Sequence, residues 1–349
     1  MQRVIVIGAG ILGASIAYHL ARGGAQVTVL AATIGGTATP NSFAWINASW
    51  GNDPIYFRLR FDSLNRWRKL EQEIPDLGVS WGGSLTYDMS EEDLRTFAVE
   101  FGSRGYPLRL VDAGEALKLE PHLLTPPRLA VHAAAEGSVE PNLATAALLK
   151  ASAARIVQTT VHGLDLIGHR VNSAMTADGP IEADHFIIAA GTGTAALLAT
   201  IGVSLEIDAP PGLLLHTLPI RRLLRGLIIA PDIHMRQAPT GEIVAGSDFG
   251  GSAPDLGPVA VAAELMDILR KTVRGTENLG LARYSIGYRP TPKDTLPIVG
   301  RIPGVVGAYV AVMHSGVTNA PAIGAYVAED VLGDRQNALI APYGTERFL

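Results

Sequence analysis

Apolar residues fill positions 4–7 without a break, Val4-Ile5-Val6-Ile7, and run directly into Gly8-Ala9-Gly10-Ile11-Leu12-Gly13. A short apolar stretch ended by glycine reads as a strand buried on both faces, and the residues after the glycine turn predict a helix over 11–22. Gln26-Val27-Thr28-Val29-Leu30 adds a second parallel strand. The period then lengthens. Phe57, Phe61, Leu64 and Trp67 recur at helical spacing, which predicts an amphipathic helix over 56–70 with its aromatic side chains in the core.

Beyond residue 74 the pattern breaks into shorter pieces. Residues 74–130 alternate strand candidates such as 84–87 with proline-bounded turns and a helix over 112–119. Glu140-Pro141-Asn142 opens a helix reaching 154, with Pro141 where a missing amide costs little. Strands are expected over 155–160, 161–167, 170–176 and 184–190. The last of them ends in Ala189-Ala190-Gly191-Thr192-Gly193, small enough for another chain or a ligand to pass close by. Residues 213–218, 227–230 and 242–245 favour strands and 258–273 a helix. A strand over 306–312 leads through Met313-His314-Ser315-Gly316-Val317-Thr318 into a helix over 319–332. This alternation supports two interleaved regions, not two successive domains.

Composition narrows the function classes. At 349 residues, 48% of them hydrophobic, the chain can bury one large core or two coupled ones. Its 28 Lys and Arg against 33 Asp and Glu leave no electrostatic footprint for nucleic acid. Cysteine is absent, which excludes disulfides, thiolate nucleophiles and cofactor attachment through cysteine. Met1-Gln2-Arg3 runs straight into the first strand without a signal peptide, and no apolar run reaches bilayer length, so cytoplasmic residence is expected, with peripheral membrane association left open. His185, His216 and His234 lack metal-ligand spacing, and no G-x-S-x-G elbow, P-loop or H-E-x-x-H motif occurs.

The chemistry concentrates at three places. In the opening motif Gly8 permits a tight turn, Gly10 lets backbone approach a pyrophosphate, and Gly13 lets the helix pack on its sheet, which together predict a dinucleotide cofactor without choosing between NAD and FAD. An acidic residue that would accept adenosine ribose hydroxyls is expected after the second strand, but Ala31 and Ala32 stand there. The glycine-rich loop over 34–45 either wraps a cofactor, with Asn41 or Ser42 donating to phosphate or flavin oxygens, or is a plain surface loop. Tyr56, at its helix start, either faces a substrate or belongs to the core. At the third place, the helix start over 314–318 offers free backbone N–H groups and a field that favours negative charge.

In order along the chain, the amino-terminal fingerprint, the loop through Ser42, the Ala189-Ala190-Gly191 strand end, Gly287-Tyr288-Arg289-Pro290 and His314-Ser315-Gly316-Val317-Thr318 resemble the FAD-dependent D-amino-acid oxidase and glycine oxidase superfamily. The resemblance covers residues 1 to about 333. It implies an α/β fold in which residues 1–45, 131–205 and 286–349 rebuild a Rossmann-like FAD-binding domain. Residues 46–130 and 206–285 would form an interleaved α+β substrate domain over the isoalloxazine. The FAD contacts it implies are Gly8, Gly10, Gly13, Asn41, Ser42, Val161, Ala190, Gly191, Ser315, Gly316, Val317 and Thr318, with no metal.

Carried onto this chain, Arg289 is implied as the partner of a substrate carboxylate, against the alternative of an internal salt bridge. His314 would orient the substrate, tune flavin charge or serve the fold, and is not assigned as a general base. Tyr56 completes the candidate catalytic set. The implied reaction is oxidation of an amino acid or related amine, with hydride passing from the amine-bearing carbon to flavin N5 and the imine of a primary amine hydrolysing to a keto acid and ammonia. Oxygen or an electron-transfer partner would take the electrons. Two departures stand out: the acidic ribose ligand falls at Ala31, and the arginine often found in the polar loop is missing around 39–42. They keep open a noncatalytic FAD-binding subunit of an oxidoreductase complex, with an NAD-dependent dehydrogenase as a weaker enzyme alternative.

Overall fold

The computed structural model of the chain describes residues 1–50, 52–247 and 257–348; residues 248–256, within the 206–285 segment, and Leu349, at the end of the 286–349 segment, lie outside the described residues. Its larger sheet has nine strands. Along the main path these are Val161–Ile167, Arg170–Thr176, Val305–Val312, His185–Ile188, Arg3–Ile7, Gln26–Ala31 and Arg155–Gln158, with Gly179–Glu182 and Ile298–Ile302 attached at the side. The pairs from Val305–Val312 through Arg155–Gln158 are parallel, in register Val4 with His185 and Val27, and Phe186 with Ala308.

Alternation along these strands divides the sheet's two faces. Val4, Val6, Val27, Val29 and Ile187 pack with the helices Ile11–Arg22, Pro141–Ser152 and Gly316–Gly333. Ile5, Ile7, Leu30, Phe186 and Ile188 pack on the opposite face with Leu164, Val171, Leu197 and Leu198. Both faces are covered, which is why the first strand is apolar at every position from Val4 to Ile7.

A second sheet of eight strands runs Leu281–Tyr288, Pro211–Thr217, Ile243–Gly246, His234–Gln237, Leu227–Ile229, Ser84–Thr86, Leu129–Ala133, Leu108–Asp112. One face, with Leu213, Leu215, Ile228 and Ala245, packs under the helix Pro258–Thr272 through Ala262, Leu265, Met266 and Leu269. The other, with Leu214, Leu227, Ile229 and Val244, meets Phe43 and Trp45 from the loop after the second strand. That loop is therefore caught between the two sheets. Arg236 reinforces the junction by donating from Nε to the Phe43 carbonyl (2.7 Å) and from Nη1 to Glu140.

Several expected elements shift at their ends for identifiable reasons. The helix over 56–70 spans Pro54–Glu73, because Asp53 Oδ1 accepts the Ile55 and Tyr56 N–H groups and Pro54 lacks a donor the first turn would leave unpaired. It packs against Gly316–Gly333, with Phe57, Leu59, Leu64 and Trp67 in the same core as the first helix. The terminal helix begins at Gly316, three residues earlier than its apolar pattern indicates, and carries Pro321 inside it. Proline cannot donate to the Val317 carbonyl one turn back, and Trp67 Nε1 donates to that oxygen instead (3.0 Å). A helix over Glu91–Ser103 was not anticipated, although Ser90 caps it by accepting the Asp93 N–H (3.1 Å) and Glu91, Glu92 and Asp93 fill its first turn. The strands Leu129–Ala133, Leu281–Tyr288 and Ile298–Ile302 were likewise unread. The Asp184–Ala190 expectation shortens to His185–Ile188, since Gly191–Gly193 turns in a single 3-10 step.

Candidate FAD and substrate site

The carboxyl ends of the parallel strands open into a cavity of about 1190 Å³, which touches Ile7, Leu30, Ala31 and Val312 at those ends. Ligands in open α/β sheets bind at this edge. The glycine turn forms its floor. Gly8 has φ +114° and donates its N–H to the Leu30 carbonyl (2.9 Å), while a Cβ there would stand 2.3 Å from the Ala189 oxygen. A Cβ at Gly13 would stand 2.0 Å from the Gly8 oxygen, so this glycine serves helix packing and, unlike Gly8 and Gly10, does not line the cavity. The polar loop folds back on the turn: Ile11 N–H donates to Thr39 Oγ1 (3.1 Å) and Gly35 N–H to the Ala9 carbonyl (2.9 Å).

The other residues expected to contact the cofactor, Asn41, Ser42, Val161, Ala190, Gly191, Ser315, Gly316, Val317 and Thr318, all line the same cavity. Several of their side chains are engaged in holding its walls. Asn41 Nδ2 donates to the Thr37 carbonyl (2.9 Å), and Ser42 Oγ accepts the Ala44 N–H (3.0 Å). Thr318 Oγ1 donates to the Trp45 carbonyl (2.9 Å), fastening the caught loop to the terminal helix. Around Val161 the wall is built from Ala31, Ala32, Thr33, Thr159, Thr160 and His162. It carries no carboxylate. Among the described lining residues Asp53 alone is acidic, and it caps its own helix.

Arg289, His314 and Tyr56, distant in sequence, line this cavity too. Arg289 follows the strand Leu281–Tyr288, and its guanidinium lies over Gly212 on the neighbouring strand, where a Cβ would stand 2.4 Å from Nη2. Tyr56 is 6% exposed and belongs to the core, with part of its surface on the cavity wall. Its hydroxyl accepts from Asn319 Nδ2 (3.0 Å) and its ring meets Tyr343 edge-on at 5.8 Å. His314 precedes the terminal helix, with Nδ1 3.5 Å from Ser315 Oγ.

Sequence reasoning passed over Arg60, Asn47 and Trp50, which also line the cavity. Arg60 had a readable signal. It lies four residues after Tyr56 and seven before Trp67, so it occupies the apolar stripe of its helix. Asn47 and Trp50 sit on irregular backbone, where no periodicity marks them.

Residues 3–330 match the family described as FAD dependent oxidoreductase (DAO). The chain belongs to that family. Over 351 residues it is 27% identical to a glycine oxidase from Bacillus licheniformis, covering 95% of this chain and 93% of that protein. A subunit of the opine oxidase from Rhizobium meliloti is 24% identical, with 98% and 96% covered. The crystal structure of iminodiacetate oxidase from Chelativorans sp. BNC1 superposes with a TM-score of 0.85 at 27% identity, covering 98% of each chain. Membership makes the cofactor FAD and removes the NAD-dependent alternative. The residues fit that cofactor: Gly8 and Gly10 present bare backbone to the cavity at the start of the first helix, and the cavity exceeds the ~300–1,000 Å³ typical of drug-sized ligands. With no cysteine in the chain, no thioether to the flavin can form. No helix among the described residues is long and apolar enough to cross a membrane.

Proposed function

We propose that this FAD-dependent oxidoreductase oxidises an amino acid or a related amine bearing a carboxylate. The observation that carries the reading is that one continuous cavity is lined by both the glycine turn and Arg289, with Tyr56 and His314 in the same wall. Bound FAD supplies the two-electron acceptor for the amine-bearing carbon. Arg289 would bind the carboxylate through its planar fork, for which the missing Cβ at Gly212 leaves room. Tyr56, steadied by Asn319, would form a fixed side of the substrate pocket. Phe43, Trp45 and Trp50 close the cavity toward the second sheet and would exclude water from the reacting carbon.

The similarity to glycine oxidase and iminodiacetate oxidase supports a small amino acid or secondary amine as substrate, with oxygen or an electron-transfer partner as acceptor. We also propose that residues 1–45, 131–205 and 286–349 bind FAD while 46–130 and 206–285 cover the substrate. All nine strands of the larger sheet come from the first set, which supports this division. Cytoplasmic residence remains part of the proposal. The test is anaerobic titration of the FAD-loaded protein with glycine, D-amino acids, proline derivatives, iminodiacetate and amines lacking a carboxylate. Bleaching by the carboxylate-bearing compounds alone is the expected result. An unchanged spectrum with all of them would favour a noncatalytic subunit, a reading to which the similarity with an opine oxidase subunit lends support.

A further inference from the structure

Arg60 is 6% exposed, lines the FAD cavity and is held by neutral acceptors. Its Nε donates to the Asn47 carbonyl (3.1 Å), Nη2 to Asn47 Oδ1 (2.7 Å) and Nη1 to Ser315 Oγ (2.7 Å), while its guanidinium lies 5.3 Å from the Tyr56 ring centroid. Among the described residues no carboxylate lies within ion-pair distance of it. The buried Glu136 joins this cluster only indirectly, through Tyr106, whose hydroxyl donates to Glu136 (2.8 Å) and accepts the Ala48 N–H (3.2 Å). Arg60 therefore keeps most of its charge unanswered in a poorly solvated place.

The second observation lies on the other side of the same hydrogen bond. Ser315 precedes the helix Gly316–Gly333, which has no side-chain cap, and Ser315 through Thr318 line the cavity. Unpaired N–H groups at a helix start favour negative charge, and so does a buried guanidinium. The two fields add at one wall. A structural role alone, such as tying residue 47 to residue 315, would need no cation there, since a neutral donor could bridge the same acceptors.

We propose that Arg60 is a positioning residue that locks the Asn47 loop to the Ser315 turn and raises the positive potential of the FAD cavity, so that the bound flavin is favoured in its reduced, anionic form. The inference rests on FAD binding and not on which amine is oxidised.

The test uses the FAD-loaded protein and two readouts independent of turnover. These are the flavin midpoint potential, and the dissociation constant of sulfite, which adds to flavin and leaves it anionic. Arg60→Met is expected to weaken sulfite binding at least tenfold and lower the potential; a tenfold change corresponds to about 30 mV for a two-electron couple. Arg60→Lys should recover most of both. Asn47→Asp, isosteric and placed 2.7 Å from Nη2, should act like Arg60→Met by cancelling the charge, and it serves if Arg60→Met does not fold. Unchanged sulfite affinity and potential in Arg60→Met or Asn47→Asp with FAD retained would overturn the proposal. Arg60→Lys impaired as fully as Arg60→Met would overturn it as well, by assigning the effect to packing. Substrate bleaching in the unmodified protein is scored separately, so failure of the amine reading leaves this result interpretable.

Discussion

Arg289 shows how little a single side chain explains by itself. Apart from the family resemblance nothing in its local sequence marks it out; in the fold its guanidinium lies over Gly212 beside a cavity that the glycine turn also lines. A charge-assisted bidentate pair there is worth about 1.5–3 kcal/mol. Arg289→Ala should accordingly raise KM for a carboxylate-bearing amine roughly ten- to a hundredfold while flavin content, read from absorbance, stays unchanged. Equal KM values in variant and parent would remove Arg289 from the substrate site. Asp53 illustrates a different residue-scale effect. It holds two N–H groups at the start of the helix that carries Tyr56 and Arg60, so Asp53→Ala should cost ~1 kcal/mol in denaturant unfolding.

At the scale of elements, the first helix and the terminal helix approach so closely that side chains are fitted around backbone. Ser15 Oγ donates to the Ala320 carbonyl (2.6 Å), and a Cβ at Gly324 would stand 2.4 Å from Ser15 Oγ and 2.7 Å from His19 Nδ1. Gly324→Ala should destabilise the protein by about 1–3 kcal/mol, despite alanine's better helix propensity, because this contact cannot expand without moving a helix. Thermal melting of the variant decides the matter, and an unchanged or raised Tm would mean the helices can separate at no cost. The same interface makes stability depend on acid. Burial lowers His19 from 6.5 to about 4, and His216 in the second sheet falls likewise to about 4. Below pH 6.5 the unfolded chain takes up protons that the folded one refuses until about pH 4. Stability contributed by these neutral imidazoles is therefore complete above 6.5 and lost as pH falls toward 4, by roughly 1–3 kcal/mol. Denaturant midpoints measured across that window should fall less steeply in His19→Gln.

For the molecule as a whole, a fully buried carboxylate ties the caught loop to the eight-stranded sheet. Glu136 accepts from Trp45 Nε1 (2.8 Å), Ser49 Oγ (3.0 Å), Ser84 Oγ (2.6 Å) and Tyr106 Oη (2.8 Å), gathering the caught loop, the eight-stranded sheet and the segment before it at one point. Burial raises its pKa, and the four donors offset part of that rise. Glu136→Ala would leave all four donors without an acceptor, and a loss of about 3–5 kcal/mol is expected. The informative measurement is unfolding followed by both tryptophan fluorescence and flavin release. Early flavin release would place Glu136 in the anchoring of that loop beside the cavity, whereas coincident transitions would make it an ordinary core residue.

The chain by itself determined what short-range physics controls. Val4-Ile5-Val6-Ile7 with Gly8, Gly10 and Gly13 specifies a buried strand and a glycine turn because local sterics admit little else, and the aromatic period from Phe57 to Trp67 specifies a helix. Asp53 and Ser90 are equally local signals, each a capping residue directly before its helix, although neither enters the reading of the sequence. Tertiary structure decided everything that depends on distant residues meeting. It brought Arg289, Tyr56 and His314 into one cavity, left Arg60 buried among neutral partners, and let Trp67 supply the donor that Pro321 lacks. The division of labour among the glycines, Gly13 to packing and Gly8 and Gly10 to the cavity floor, agrees with the reading of the motif itself. Periodicity reports which face of an element is buried, but the identity of what lies against that face is set by the assembled sheets.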